Sequence, residues 1–114
     1  MDFSVVTATL NQIGLLRSCV SSVADQEGVS LEHVIQDGGT SGFGEFAEDM
    51  NRIWPQHAGY HRTMTSEPDF GMYDGINRGL KKARGRICGY LNSDEQYLPG
   101  ALAAVLRMFQ EKPK

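Results

Sequence analysis

Two carboxylates stand side by side where an apolar segment of the chain ends. Residues 88–100 read CGYLNSDEQYLPG, and Asp94 and Glu95 follow the apolar part of this stretch. Adjacent like charges repel each other, and a cation bound between them would relieve the repulsion. Mg²⁺ or Mn²⁺ is commonly held by one or two carboxylates together with diphosphate oxygens. The pair therefore suggests a metal–diphosphate site, while an exposed acidic turn, or Asp94 capping the next helix, explains the dipeptide more simply.

A third acid, Asp37, ends another apolar segment and is followed by two glycines. Its carboxylate could accept hydrogen bonds from a base or a ribose, and the glycines would let the backbone approach a ligand closely. An Asp-Gly turn is the simpler explanation of the same residues.

The stretch SEPDFGMYDGINRG, residues 66–79, holds three acids and a proline just before a predicted helix. Asp69 lies at the entrance of that helix, where it could accept hydrogen bonds from free N–H groups. Gly75, Gly79 and Ala83 recur every four residues and form one smooth helix face. Each glycine costs about 1 kcal/mol of helix propensity, so this face indicates close approach of a backbone or a flat ligand.

Composition limits the class of protein. The chain has 114 residues and a net charge of -3, which indicates one domain, residues 1–114, and argues against a nucleic-acid-binding module. No apolar run reaches the ~20 residues of a membrane span, and the N-terminus MDFSVV lacks the basic start of a signal peptide. We therefore expect a cytoplasmic protein, with peripheral association at the inner membrane surface as an option. GxGxxG, P-loop, GxSxG and Cys/His metal patterns are missing from the sequence.

Strand and helix signals alternate along the whole chain. Short β-branched or apolar runs predict strands, and apolar residues at helical spacing predict helices between them. The predicted strands span 3–8, 31–37, 60–67 and 86–92, and the predicted helices span about 12–24, 43–53, 72–83 and 98–109. Four βα units with short connections predict an α/β fold with a parallel sheet and right-handed crossovers. Ligands bind such sheets outside the carboxyl ends of the strands, where the acids described above would lie.

Three stretches, taken in chain order, carry a family resemblance. They are SVVTATLNQ (4–12), EHVIQDGGTSG (32–42) and SEPDFGMYDGINRGLKKARGRICGYLNSDEQYLPGAL (66–102). Together they resemble the family 2 glycosyltransferases of the GT-A fold, in particular the bacterial colanic-acid and exopolysaccharide type. The resemblance covers essentially the whole chain, and its third stretch is long and specific. It implies the N-terminal, nucleotide-sugar-binding half of a Rossmann-like GT-A fold.

The resemblance also implies an activity and a set of site residues. Members of the family transfer a sugar from a nucleotide-diphosphate donor, here most simply a UDP-sugar, to a hydroxyl acceptor such as a glycan or a lipid-linked sugar, with inversion. The divalent metal, Mg²⁺ or Mn²⁺, neutralises the diphosphate leaving group. The residues carried over are Thr7, Ala8 and Thr9 along the nucleoside, Asp37 at the base, Asp69 in the donor pocket, Asp94 at the ribose or metal, and Glu95 as metal ligand.

The sequence departs from the family pattern at several positions. Ala8 stands in place of the usual proline, Gly42 of an acid, Gly75 of an alanine and Glu95 of an aspartate. The family's acceptor site and catalytic base belong to a second half of the fold, so no catalytic residue is assigned in this chain. An open sheet edge after the fourth strand would favour homo-oligomers.

Two alternatives stay open at this point. One is a nucleotide-sugar-binding pseudoenzyme or regulatory module without transfer activity. The other is a receiver domain of two-component signalling, which needs an acidic pair after the first strand, where this chain reads TATLN.

Overall fold

Four βα units follow one another along the chain, as the alternation of signals predicts. We describe the protein from a computed structural model, in which residues 1–111 are described. The elements are β1 (Phe3–Thr9), α1 (Ile13–Ala24), β2 (Leu31–Asp37), α2 (Phe43–Ile53), β3 (Tyr60–Ser66), α3 (Met72–Lys82), β4 (Ile87–Tyr90) and α4 (Ala101–Glu111). The predicted α/β fold with a parallel sheet is confirmed.

Several element boundaries differ from the sequence prediction by one to three residues, and two of these differences have a clear local cause. β4 ends at Tyr90 rather than residue 92, because the chain turns at Asn92, whose C=O accepts a hydrogen bond from Glu95 N at 3.0 Å. α4 begins at Ala101 rather than at residue 98, since Gly100 has a φ of +77°, outside the right-handed helical region.

The sheet is parallel throughout and its strands lie in the order β3-β2-β1-β4. β1 and β2 are buried along all seven of their residues, as expected for central strands covered on both faces. β4 returns to the far side of β1, so the direction in which strands are added reverses between β1 and β4. Parallel sheets bind ligands at the carboxyl ends of the strands flanking such a reversal.

Helix α3 packs directly on β1 through its glycines. A Cβ added to Gly79 would lie 2.5 Å from Cγ1 of Val6, and one added to Gly75 would lie 3.1 Å from Cβ of Ala8. The smooth face predicted from the glycine spacing is therefore a packing surface against a strand.

Helices α1 and α2 supply much of the apolar core, with the side chains Leu16, Cys19, Val20, Val23, Phe43, Phe46 and Met50.

Among residues 1–111, no helix has the length and apolar character needed to cross a bilayer. In the same part of the chain, β4 pairs with β1 alone, so its other edge is open.

Candidate functional site

A cavity of about 490 Å³ opens at the carboxyl ends of β1 and β4, where the order of strand addition reverses. Three segments contribute to it: the end of β1 with the loop to α1, the loop from β3 into α3, and the turn after β4. Its lining consists of Ala8, Thr9, Leu10, Gln12, Asp69, Gly71, Met72, Asn92, Ser93 and Asp94.

The turn after β4 presents Asp94 to this cavity. Glu95 Oε1 accepts a hydrogen bond from Asn92 N at 3.0 Å, and this bond closes the turn on itself. The Ser93 hydroxyl donates to Gln12 Oε1, which ties the turn to the loop after β1. Asp94 is exposed, and its carboxylate has no hydrogen-bond or ion-pair partner within the described chain. Asp94 lines the cavity and Glu95 does not, and their roles at a ribose or a metal stay predictions.

Asp69 reaches the cavity from the loop that precedes α3. Its Oδ1 accepts a hydrogen bond from Gly71 N at 3.0 Å, so the predicted acceptance of N–H groups at the helix entrance is present. Glycines surround the carboxylate: a Cβ added to Gly38 or to Gly75 would lie 3.2 Å from Oδ2. These two glycines leave just enough room for the carboxylate.

The charge of the cavity is negative. Asp69 and Asp94 both line it, and no lysine, arginine or histidine is among its lining residues in the part of the chain that the structure describes. Two helices begin at this cavity, α1 after Gln12 and α3 after Gly71, and neither N-cap residue caps its helix with a side-chain hydrogen bond of its own. Free N–H groups and the dipole at a helix N-terminus favour anions. The cavity thus offers carboxylates for a cation and helix termini for an anion.

The oxygen-rich lining fits a hard divalent cation. Mg²⁺ and Mn²⁺ prefer carboxylate and carbonyl oxygens, and Mg²⁺ is commonly bound by one or two carboxylates plus substrate phosphates. Residues 1–111 contain no cluster of three or more His, Cys, Asp or Glu side chains able to hold a metal by themselves. The residues present therefore fit a cation that takes some of its ligands from the protein and the others from a bound diphosphate.

Thr7 is not among the residues that line the cavity, and its contact with a nucleoside stays a prediction. Its side chain is fully buried, and its hydroxyl lies 2.8 Å from Nε2 of His33 and 3.8 Å from Sγ of Cys19. Burial, with a smaller contribution from the nearby Arg62 charge, lowers the pKa of His33 to about 3. Thr7 therefore belongs to a buried polar pair in the core.

Ala8 and Thr9 line the cavity, and their contact with a nucleoside stays a prediction. Thr9 is only 8% exposed, and its hydroxyl has no hydrogen-bond partner within the described residues. An unsatisfied buried hydroxyl is costly, so this group stands out as one that a ligand could satisfy.

Asp37 is also absent from the cavity lining, and its contact with a base stays a prediction. The residue is 1% exposed. Its Oδ2 accepts hydrogen bonds from Gly39 N at 3.0 Å, Thr40 N at 2.6 Å and the Ser66 hydroxyl at 2.7 Å. Its Oδ1 accepts from the Thr40 hydroxyl at 2.5 Å, and Thr40 Oγ1 in turn accepts from Asn11 N at 2.8 Å. Asp37 therefore holds the loop after β2 against the loop after β1.

Gln12 and Ser93 are cavity residues that the sequence did not single out. Ser93 directly precedes Asp94 in the stretch of residues 88–100 described above, so its position in the sequence could have indicated that it lies at the cavity. Gln12 carries no comparable signal, because its role depends on β4 lying next to β1.

Comparison with known proteins supports a glycosyltransferase family. Residues 4–114 match the family model described as glycosyl transferase family 2. A PGL/p-HBAD biosynthesis glycosyltransferase of Mycobacterium bovis is 31% identical over 110 residues, which are 96% of this chain and 42% of that protein. An uncharacterized glycosyltransferase of Mycobacterium tuberculosis is 30% identical over 95 residues, 82% of this chain and 34% of that protein. The chain thus spans less than half the length of these relatives.

Solved structures share the fold. S. aureus TarS 1-349, crystallised in complex with UDP-GlcNAc, superimposes with a TM-score of 0.80 at 20% identity, covering 97% of this chain and 32% of that one. The mannosyltransferase PcManGT from Pyrobaculum calidifontis, in complex with GDP-Man and Mn²⁺, also has a TM-score of 0.80, at 21% identity, with 97% and 32% coverage. With the fold, the strand-end cavity and the family match in agreement, the chain belongs to glycosyl transferase family 2.

Proposed function

We propose that this domain binds a nucleotide-diphosphate sugar, most simply a UDP-sugar, in the cavity at the ends of β1 and β4. In the whole protein it would serve an inverting, metal-dependent transfer of the sugar to a hydroxyl acceptor. The observation that carries the proposal is the pairing of two cavity carboxylates, Asp69 and Asp94, with two helix N-termini and no basic side chain in the lining. A diphosphate can enter such a cavity when a cation offsets the carboxylates.

Four residues at or beside the cavity have a defined part in this proposal. The nucleoside would lie along Ala8 and Thr9, and the Thr9 hydroxyl would gain a hydrogen-bond partner. Asp94 would hold Mg²⁺ or Mn²⁺ or contact the ribose. Glu95 would be the second metal ligand through Oε2, the oxygen that makes no hydrogen bond in the described chain. A cation bound there supplies positive charge that stabilises the diphosphate as it leaves.

The proposal draws support from the family and from its structural relatives. The matching family is one of glycosyl transferases, and solved structures of two proteins of the same fold are complexes, one with UDP-GlcNAc and the other with GDP-Man and Mn²⁺. The acceptor, which we propose to be a glycan or lipid-linked sugar in polysaccharide biosynthesis at the cytoplasmic side of the membrane, would bind to parts of the fold outside these residues. We assign no catalytic base to this chain.

Isothermal titration with UDP, in the presence and absence of Mn²⁺, tests the proposal. We expect binding that needs Mn²⁺ and that falls at least about tenfold in Asp94→Asn, which keeps the shape of the side chain and removes its charge. Asp49→Asn, at a 48% exposed side chain of helix α2, is the matched control, and it should leave the affinity unchanged. UDP binding that is indifferent to both Mn²⁺ and Asp94→Asn would contradict the proposal.

A further inference from the structure

Arg78 on α3 holds two of the three acids that surround the entrance of that helix. Its Nη1 lies 2.9 Å from Glu67 Oε1, and its Nη2 lies 3.1 Å from Asp74 Oδ2. The Arg78 side chain is 30% exposed, so the two ion pairs are partly shielded from water. A planar guanidinium is suited to bridging two carboxylates in this way, which a lysine ammonium cannot do with the same geometry.

The ion pairs continue as hydrogen bonds at both ends. Glu67 Oε1 also accepts from Gln36 Nε2 at 2.9 Å, and Gln36 Oε1 accepts from Lys82 Nζ at 2.8 Å. At the other end, Asp74 Oδ2 accepts from Phe70 N at 2.9 Å. One connected network therefore runs from the end of β2 to the backbone of the loop before α3.

Asp69 lies between the two positions at which this network contacts the loop before α3. Glu67 comes two residues before it, and Phe70 N comes directly after it. Of the acids in residues 66–74, Asp69 is the one that lines the cavity, whereas the other two face Arg78. The network therefore fixes the backbone on both sides of the cavity carboxylate.

The charges of the network agree with this arrangement. Hydrogen bonding from Arg78 lowers the pKa of Glu67, and hydrogen bonding from Phe70 N, then from Arg78, lowers the pKa of Asp74. Both carboxylates raise the pKa of Arg78. All three groups are therefore charged over the neutral range, and Arg78 offsets acids that would otherwise repel Asp69.

We propose that Arg78 is a positioning residue for Asp69: it sets the loop that carries the cavity carboxylate and so controls nucleotide affinity without touching the ligand. The positioning itself depends only on contacts within the chain. Its consequence for affinity rests on the proposed function.

The first test measures amide hydrogen exchange, with no ligand present. In Arg78→Gln, exchange at the N–H groups of Phe70 and Gly71 should accelerate about tenfold or more, since Asp74 and Asp69 lose their fixed positions. Arg52→Gln, which removes a 71% exposed arginine from the i,i+3 pair with Asp49 on α2, is the matched control and should leave those two rates unchanged. Arg78→Lys should be intermediate, because lysine can pair with one acid at a time. Unchanged rates in both Arg78 variants would overturn the proposal.

The second test is a double-mutant cycle on UDP affinity with Mn²⁺. If Arg78 acts through Asp69, Arg78→Gln weakens UDP binding about tenfold in the wild-type background and has little further effect in Asp69→Asn. Equal losses in both backgrounds would show that Arg78 affects the fold in general and would overturn the proposal. Failure of the proposed function is distinguishable, because wild-type protein would then bind no UDP while the exchange rates still responded to Arg78→Gln.

Discussion

Gly75 and Asp69 approach each other so closely that a Cβ on the glycine would lie 3.2 Å from Asp69 Oδ2. The same Cβ would lie 3.1 Å from Cβ of Ala8, so two positions at which the chain departs from its family pattern are in contact. We infer that the small residues at 8 and 75 together set the room available to the Asp69 carboxylate.

Gly75→Ala tests this relationship. The substitution gains up to about 1 kcal/mol of helix propensity, but its Cβ displaces Asp69 by a few tenths of an ångström. We expect a free energy of unfolding within about 1 kcal/mol of wild type and a severalfold weaker affinity for UDP with Mn²⁺. The control is Gly14→Ala on α1, where nothing lies within 4 Å of the added Cβ and affinity should not change. Undiminished affinity in Gly75→Ala would show that the position of Asp69 does not matter for binding.

Gly79→Ala should destabilise the fold instead of the site. Its Cβ would lie 2.5 Å from Cγ1 of Val6, a fully buried and stiff β-branched side chain. We expect a loss of about 1–3 kcal/mol in the free energy of unfolding, measured by urea denaturation. Adding Val6→Ala removes the clash, so the double variant should lose less than the sum of the single losses. Strict additivity would mean that the close packing of α3 on β1 is not the cause.

Asp37→Asn separates a structural role from contact with a base. The variant loses charge-assisted hydrogen bonds in a buried loop, and we expect its free energy of unfolding to fall by about 1–3 kcal/mol. The ratio of affinities for UDP and GDP should stay as in wild type, because Asp37 is engaged by Gly39, Thr40 and Ser66 and does not line the cavity. A changed ratio at unchanged stability would restore the contact with the base.

His33 makes stability depend on pH. Its pKa falls from 6.5 to about 3 on folding, mainly through burial, so the folded state holds the ring neutral. As pH decreases from 6.5 towards 3, the unfolded chain takes up a proton that the folded chain does not. The contribution of His33 to the free energy of unfolding should therefore be complete above pH 6.5. Below pH 6.5 the free energy of unfolding should decrease by up to about 1.4 kcal/mol per pH unit.

Replacing the histidine should remove this part of the pH dependence. The free energy of unfolding of His33→Gln, measured by urea denaturation at several pH values between 7 and 5, should depend less steeply on pH than that of wild type. This holds whatever the variant's stability at pH 7. His61→Gln, at an exposed position of β3, is the control and should keep the wild-type slope. The same slope in His33→Gln and wild type would assign the effect to other groups.

The helices, the strands and two of the cavity acids could be predicted from the sequence, because periodicity and strand ends are local properties. Asp69 and Asp94 lie in the segments that follow β3 and β4, and parallel strands bring such segments to one edge. Thr7 and Thr9 show that a local pattern does not determine how deeply a side chain of a strand is buried. Two residues apart on a strand, they point to the same face, yet Thr7 lies deep enough to be covered by the core while Thr9 reaches the cavity.

Strand order is the second property that the pattern does not contain. The placement of β4 beside β1 brings Ser93 against Gln12. It depends on long-range packing, which periodicity does not encode.

Paramagnetic broadening by Mn²⁺ in NMR spectra tests the central claim most directly, namely that a cation joins a diphosphate to the cavity acids. With UDP present, substoichiometric Mn²⁺ should broaden the backbone amide signals of Thr9, Asp69 and Asp94 first, and Mg²⁺ in excess should restore them. Signals of the loop at residues 84–86, which precedes β4 at the opposite end of the sheet, should stay sharp. Broadening centred away from the cavity, or none at the three cavity residues, would contradict the account.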